Sequence, residues 1–142
     1  MLESLKPPVF FLLGPTASGK TDWAIDWQKL FKRIEIISVD SVMVYQGCDI
    51  GSAKPTKAIL AKHPHYLVDE TELDQIFSVA DFCRSAHQLI KDIHSRNNIP
   101  LLVGGSMMYF NVLKKGMSAL PSADSNFRAE LEIRIQDEGI TS

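Results

Sequence analysis

Five apolar residues, Val9-Phe10-Phe11-Leu12-Leu13, run directly into Gly14-Pro15-Thr16-Ala17-Ser18-Gly19-Lys20-Thr21. The eight-residue segment is a complete G-x-x-x-x-G-K-[ST] pattern, and an amphipathic stretch follows it. A strand that stops at a glycine-rich turn and restarts as a helix aims several backbone N–H groups and a helix N-terminus at one spot. Lys20 adds a point charge, and the Thr21 hydroxyl is placed to hold Mg²⁺ beside a polyphosphate. The pattern therefore predicts a phosphate-binding loop over Gly14 to Thr21. It specifies neither what is joined to the phosphate nor which bond breaks.

The rest of the chain repeats the same alternation. Trp23, Ala24, Trp27, Leu30 and Phe31 recur at helical spacing, which predicts a helix over 20–32 with both tryptophans packed in the core. Ile34 to Val39 reads as a second buried strand ending at Asp40-Ser41, and residues 45–57 as a long turn-rich surface loop. His65 to Val68 suggests a short strand. Ser78 and Asp81 have the spacing of a capping box, and Val79, Phe82, Cys83, Ala86, Leu89, Ile90 and Ile93 follow as a helical stripe ending near Asn97-Asn98. Leu101 to Val103 is a further strand, Met107 to Lys115 a helix with Gly116 as its stop, and 121–125 a Pro/Ser turn before an amphipathic helix at about 126–138.

Short apolar strands alternating with helices predict an α/β fold, a parallel sheet covered on both faces. Polar residues gather at three strand tips, 14–21, 40–41 and 104–106. Ligands of open parallel sheets bind outside the carboxyl ends of the strands, so one crevice is expected there. At 142 residues with 45% hydrophobic content, the chain suits one core-bearing domain. A formal net charge of −2 gives no global basic signature, so a nucleic-acid partner needs a local patch or a surface elsewhere. Cys48 and Cys83 are too few for a disulfide framework, and a reducing cytoplasm is the simplest setting. The N-terminal segment lacks a signal-peptide pattern, and its five-residue apolar run is far short of a membrane span.

Asp40 admits three readings: a metal-linked carboxylate, a general base, or the cap of a following helix. Gly104-Gly105-Ser106 suits either close approach of a ligand or a tight turn capped by Ser106. His63 and His65 have no third ligand nearby and read as loop residues. Lys54, Lys57 and Lys62 read as a solvated basic cluster with a possible phosphate-backbone role.

Taken together, Gly14 to Thr21, Ser38-Val39-Asp40-Ser41, Asp49-Ile50-Gly51-Ser52-Ala53-Lys54-Pro55 and Leu102-Val103-Gly104-Gly105-Ser106 resemble the tRNA dimethylallyltransferase (tRNA isopentenyltransferase) family. Leu120-Pro121-Ser122-Ala123-Asp124 fits it too. The resemblance covers nearly the whole chain in order. It implies a P-loop NTPase-like parallel sheet flanked by helices, with residues 1–120 as core and 121–142 as the start of a helical insertion. It also implies transfer of a dimethylallyl group from dimethylallyl diphosphate to N6 of adenosine 37, beside the tRNA anticodon. Gly14, Pro15, Thr16, Ala17, Ser18, Gly19, Lys20 and Thr21 then cradle diphosphate, with Thr21 on Mg²⁺, and Asp40 matches the general base. Asp40, Ser41, Val42, Met43, Ser106 and Arg128 match contacts to the tRNA anticodon stem-loop. Ser52 and Ser106 stand where the family usually has threonine, and Gln46 where it often has a basic residue. Family members run to roughly twice this length. The expectation is an N-terminal piece that binds diphosphate weakly and does not complete tRNA binding alone. The rival readings are a P-loop small-molecule kinase or nucleotide-binding module, and a non-catalytic interaction domain.

Overall fold

A computed structural model of the chain describes residues 7–117 and 124–139. Four strands form one all-parallel sheet: β1 (Phe10–Leu13), β2 (Ile34–Val39), β3 (His65–Tyr66) and β4 (Ile99–Gly104), in the spatial order β1-β4-β2-β3. The helices are α1 (Lys20–Leu30), α2 (Lys57–Lys62), α3 (Val79–Ser95), α4 (Met107–Lys115) and α5 (Ser125–Glu138).

Alternation along the strands divides the core into two layers. Ile37, Val39 and Leu102 face Phe82, Ala86 and Ile93 of α3 and Tyr109 and Phe110 of α4. Ile34, Ile36, Leu101 and Val103 face Ala24 of α1, with Trp27 packed alongside. Each fully buried Leu, Ile or Phe contributes about 1.5–3 kcal/mol. Both faces of the sheet are thus covered, as the sequence predicts. The helix expected after Ser78 is present with a complete capping box: Asp81 N–H donates to Ser78 Oγ, and Ser78 N–H donates to the Asp81 carboxylate at 2.9 Å.

Several expectations need correction. The run Val9 to Leu13 is not a fully buried strand: Phe10, Phe11 and Leu13 are exposed, because among the described residues β1 is an edge strand paired with β4 alone. Trp27 is half-buried but Trp23 is 62% exposed, and α1 buries only Ala24 and Ile25, ending at Leu30. α2, which begins where the expected loop 45–57 ends, is not among the expected helices; Thr56 caps it, its side chain accepting from the Ile59 N–H. Pro100 lies inside β4. The Ile99 N–H donates to Arg33 on the β2 side, so the N–H that Pro100 lacks faces the β1 side, where pairing begins only at Leu101. The C-terminal helix forms on its Asp124 cap, but it is not amphipathic in use: residues 125–137 are all exposed, Phe127, Leu131, Ile133 and Ile135 included. Of the turn expected at 121–125, and of the Leu120–Asp124 resemblance, residues up to 123 lie outside the described residues.

Candidate functional site

The carboxyl ends of β1, β2 and β4 open on a crevice of about 300 Å³. Residues 16–22 line it, with Ser38 near the end of β2 and Asp40 and Met43 just beyond that strand. Val103, Gly104 and Gly105 line it at the tip of β4, and Ser52, Ala53, Pro55 and His65 complete the lining.

The loop's shape is set by its backbone. Ala17 (φ 63°) and Gly19 (φ 78°) are left-handed, turning the chain from β1 into the first turn of α1. Gly19 is the N-cap without any side-chain capping bond, so the first N–H groups of α1 keep no side-chain acceptor from that residue. Lys20 folds over the loop, its ammonium donating to Pro15 O and, at 3.3 Å, to Ser18 Oγ. Thr21 stands in the first turn beside the crevice.

Asp40 ends β2, and its Oδ1 accepts from the backbone N–H of Val42 (2.8 Å) and of Met43 (3.1 Å). The helix cap considered for Asp40 is therefore a turn cap: residues 41–44 form turns, and the next helix begins only at Lys57. One carboxylate oxygen is fixed while Asp40 still lines the crevice. Among the described residues no group of three or more His, Cys, Asp or Glu gathers as a metal cage. The oxygens of Thr21 and Asp40 suit Mg²⁺, which is typically held by one or two protein oxygens together with substrate phosphates and water.

The double glycine at the β4 tip has a packing cause. A Cβ on Gly104 would lie 2.1 Å from Val39 O, and one on Gly105 would lie 3.2 Å from Gly14 O. These residues let β4 close on β2 and on the phosphate loop, so backbone approaches backbone. Ser106 is the N-cap of α4, yet its hydroxyl makes no capping bond, so that part of the turn reading does not hold.

Of the residues singled out from sequence, the crevice collects Thr16 to Thr21, Asp40, Met43, Ser52, His65, Gly104 and Gly105. Gly14, Pro15, Ser41, Val42 and Ser106 flank it without lining it. Arg128 is not brought there: it belongs to a shallow surface on α5 with Asp124, Ser125, Ala129 and Glu132.

Two residues, His65, read as a loop residue and as the start of a short strand, and Lys54, read as solvated surface, prove to be structural parts of the site. His65 is in β3 and lines the crevice. Its Nδ1 donates to His63 O at 2.7 Å, which leaves Nε2 as the acceptor of a neutral ring, buried and without a partner among the described residues. Burial pushes the His65 pKa below the ordinary histidine value. Pairing of His65 with Ile36 puts the ring on the α1 side of the sheet, a placement only the β2–β3 register reveals. Lys54 is the second: its side chain is 3% exposed and ion-paired with Asp49 and Asp69. Burial opposes its charge, but the hydrogen bonds to Asp69 and Asp49 outweigh this and hold its pKa above the usual lysine value. The clustering of Asp49 and Asp69 around one lysine was the available signal, hidden by a separation of 15 residues.

A parallel α/β sheet whose glycine-rich loop and strand-tip carboxylate share one crevice defines a P-loop protein of the NTPase-like fold. The profile of the family described as IPP transferase matches residues 43–142, and the chain belongs to that family. It is 48% identical over 133 residues to the tRNA dimethylallyltransferase of Nitrosomonas europaea, covering 94% of this chain and 42% of that protein. The full-length tRNA isopentenylpyrophosphate transferase from Bacillus halodurans superposes with a TM-score of 0.75 at 39% identity, covering 93% of this chain and 44% of that one. A eukaryotic dimethylallyltransferase, solved acting on tRNA, gives 0.74 at 27% identity over 90% of this chain and 32% of its own. The chain thus spans less than half the length of each.

Proposed function

We propose that this chain carries the donor-binding part of a tRNA dimethylallyltransferase, which moves a dimethylallyl group from dimethylallyl diphosphate to N6 of adenosine 37 beside the tRNA anticodon. The observation that carries this reading is the shared crevice, in which the phosphate loop and Asp40 face the same cavity. Family membership and relatives named for this activity support it.

In the proposed reaction the allylic C–O bond breaks and its electron pair leaves with diphosphate. The N6 lone pair forms the new C–N bond, and the N6 proton passes to Asp40. Gly14 to Thr21 cradle the diphosphate, with Pro15 shaping the loop and the other residues offering backbone N–H groups, and Lys20 neutralises the charge that grows on it. Thr21 would hold Mg²⁺, which would supply further charge neutralisation there. An adenine amine is a poor nucleophile because its lone pair is delocalised, so a carboxylate positioned to take its proton lowers the barrier. The two backbone N–H bonds to Oδ1 orient Asp40 and leave Oδ2 toward that task. Extruding the adenosine from its stack lets it reach the strand tips. Ser41, Val42, Met43, Ser106 and Arg128 are the proposed tRNA contacts, and residues from 121 onward the start of a helical insertion. The exposure of residues 125–137 of α5 supports the last point. No helix among the described residues is long and apolar enough to cross a membrane, and two free cysteines fit a cytoplasmic setting.

Titration calorimetry with Mg²⁺ present tests the donor assignment. Dimethylallyl diphosphate should bind more tightly than ATP; the reverse order would instead favour a kinase-like module. In the complete enzyme, Asp40→Asn should lower kcat for tRNA prenylation by at least about 100-fold while leaving donor Kd within about twofold. Mass spectrometry of the tRNA product reads the outcome, and undiminished transfer removes Asp40 from the base role.

A further inference from the structure

Ser52, Ala53 and Pro55 line the crevice together with the phosphate loop and form the wall segment, which has no regular secondary structure. Something must hold it. Ala53 is left-handed at φ 56°, a conformation unfavourable for a non-glycine residue that persists only where the surroundings enforce it. Asp69, on the loop after β3, is left-handed too, at φ 56°. Between them lies the Lys54 ammonium. An ammonium has three donors, and here each has an acceptor from a different segment: Tyr45 O at 2.8 Å, Asp49 Oδ1 at 3.1 Å and Asp69 Oδ1 at 2.5 Å.

The bonds around this group extend to the catalytic edge. Asp69 N–H donates to Met43 O, and Met43 N–H donates to Asp40 Oδ1. Ser52 Oγ donates to Cys48 O at 2.6 Å and accepts from Lys54 N–H at 3.3 Å. One buried cation therefore joins the turn carrying Asp40 to Met43, the wall segment and the loop after β3. Its donors are all engaged, so it has none left for a phosphate. A direct role in binding the leaving group is not available to it.

We infer that Lys54 is a positioning residue, whose three-way contact sets the width of the crevice between Ala53 and the phosphate loop. This rests on the donor-site reading above. Removing the ammonium leaves the Asp69 carboxylate without its cation and releases a left-handed alanine toward its preferred conformation. The wall then moves relative to the diphosphate cradle.

The test is calorimetric titration of the wild-type chain and of Lys54→Met with dimethylallyl diphosphate and Mg²⁺, well below each melting midpoint. Lys54→Met removes the charge and keeps most of the volume. A merely structural role lowers the fraction of competent molecules, which reduces stoichiometry and leaves Kd unchanged. A displaced wall keeps stoichiometry and weakens binding. The expected result is full stoichiometry with Kd raised about tenfold, below the roughly 100-fold effect that a 1 Å misplacement can have on rate. Unchanged Kd in Lys54→Met overturns the inference while leaving the donor site standing; absence of binding by the wild type removes the donor reading itself. Should Lys54→Met not fold, Asp69→Asn keeps the ammonium and weakens one of its bonds. It should raise Kd about threefold at full stoichiometry, and no change there is equally fatal.

Discussion

His65 carries the most consequential protonation state in the crevice. With Nδ1–H committed to His63 O, gaining a proton means placing a charge on a buried Nε2 that has no acceptor to receive it. Its folded-state pKa is accordingly depressed by burial. The sign of the linkage follows. Below the ordinary histidine pKa of about 6.5 the unfolded chain binds a proton that the folded chain refuses, so stability falls as pH drops through that value. Above it both states are neutral and the contribution is fully present. We expect the thermal midpoint to decline from about pH 6.5 toward pH 5, before the carboxylates titrate. His65→Gln, which cannot ionise, should flatten that decline. Scanning calorimetry at half-unit pH steps measures both, and equal slopes for the two proteins would assign the acid sensitivity elsewhere.

The elements meet at the site through backbone contacts that only glycine allows, and Gly104 is the tightest of them. An alanine there places its Cβ 2.1 Å from Val39 O and 2.6 Å from Val39 C, both main-chain atoms that no rotamer change can move aside. Gly104→Ala should destabilise by at least about 3 kcal/mol in urea unfolding, at the upper end of overpacking effects. Gly105→Ala, 3.2 Å from Gly14 O, should cost less. Similar small losses for both would mean the β2–β4 approach is looser than described. These glycines also show where sequence reasoning stops. The phosphate loop, β2, the capping box of α3 and the end of α4 were legible because each depends on local spacing. The two-sided sheet was legible from the alternation of strands and helices. What stayed hidden depends on contacts distant in sequence: the edge position of β1 and the entry of His65 into the crevice through β3. The burial of Lys54 by Asp69 and the backbone reason for the double glycine belong to the same class.

For the molecule as a whole, the consequence of that edge position is an apolar margin. Phe10, Trp27, Phe31, Ile34, Ile99 and Leu101 line a cleft of about 370 Å³ with no polar lining, and Phe10 and Phe31 are 49% and 59% exposed. Beside the cleft, β1 pairs with β4 alone, so its outer N–H and C=O groups have no strand partner among the described residues. An open strand edge next to exposed aromatic side chains is a template for pairing between chains. The net charge of −2 supplies little repulsion against such contact. We therefore expect this chain to self-associate with rising concentration in sedimentation velocity experiments. Phe10→Lys, which puts a charge on the edge, should shift the distribution toward monomer. The crevice is at the carboxyl ends of the strands, while Phe10 begins β1, so the substitution should leave dimethylallyl diphosphate affinity within about twofold, as expected for a surface change away from the site. A wild-type chain that remains monomeric at high concentration would show that the exposed margin is too small, or too twisted, to recruit a second copy.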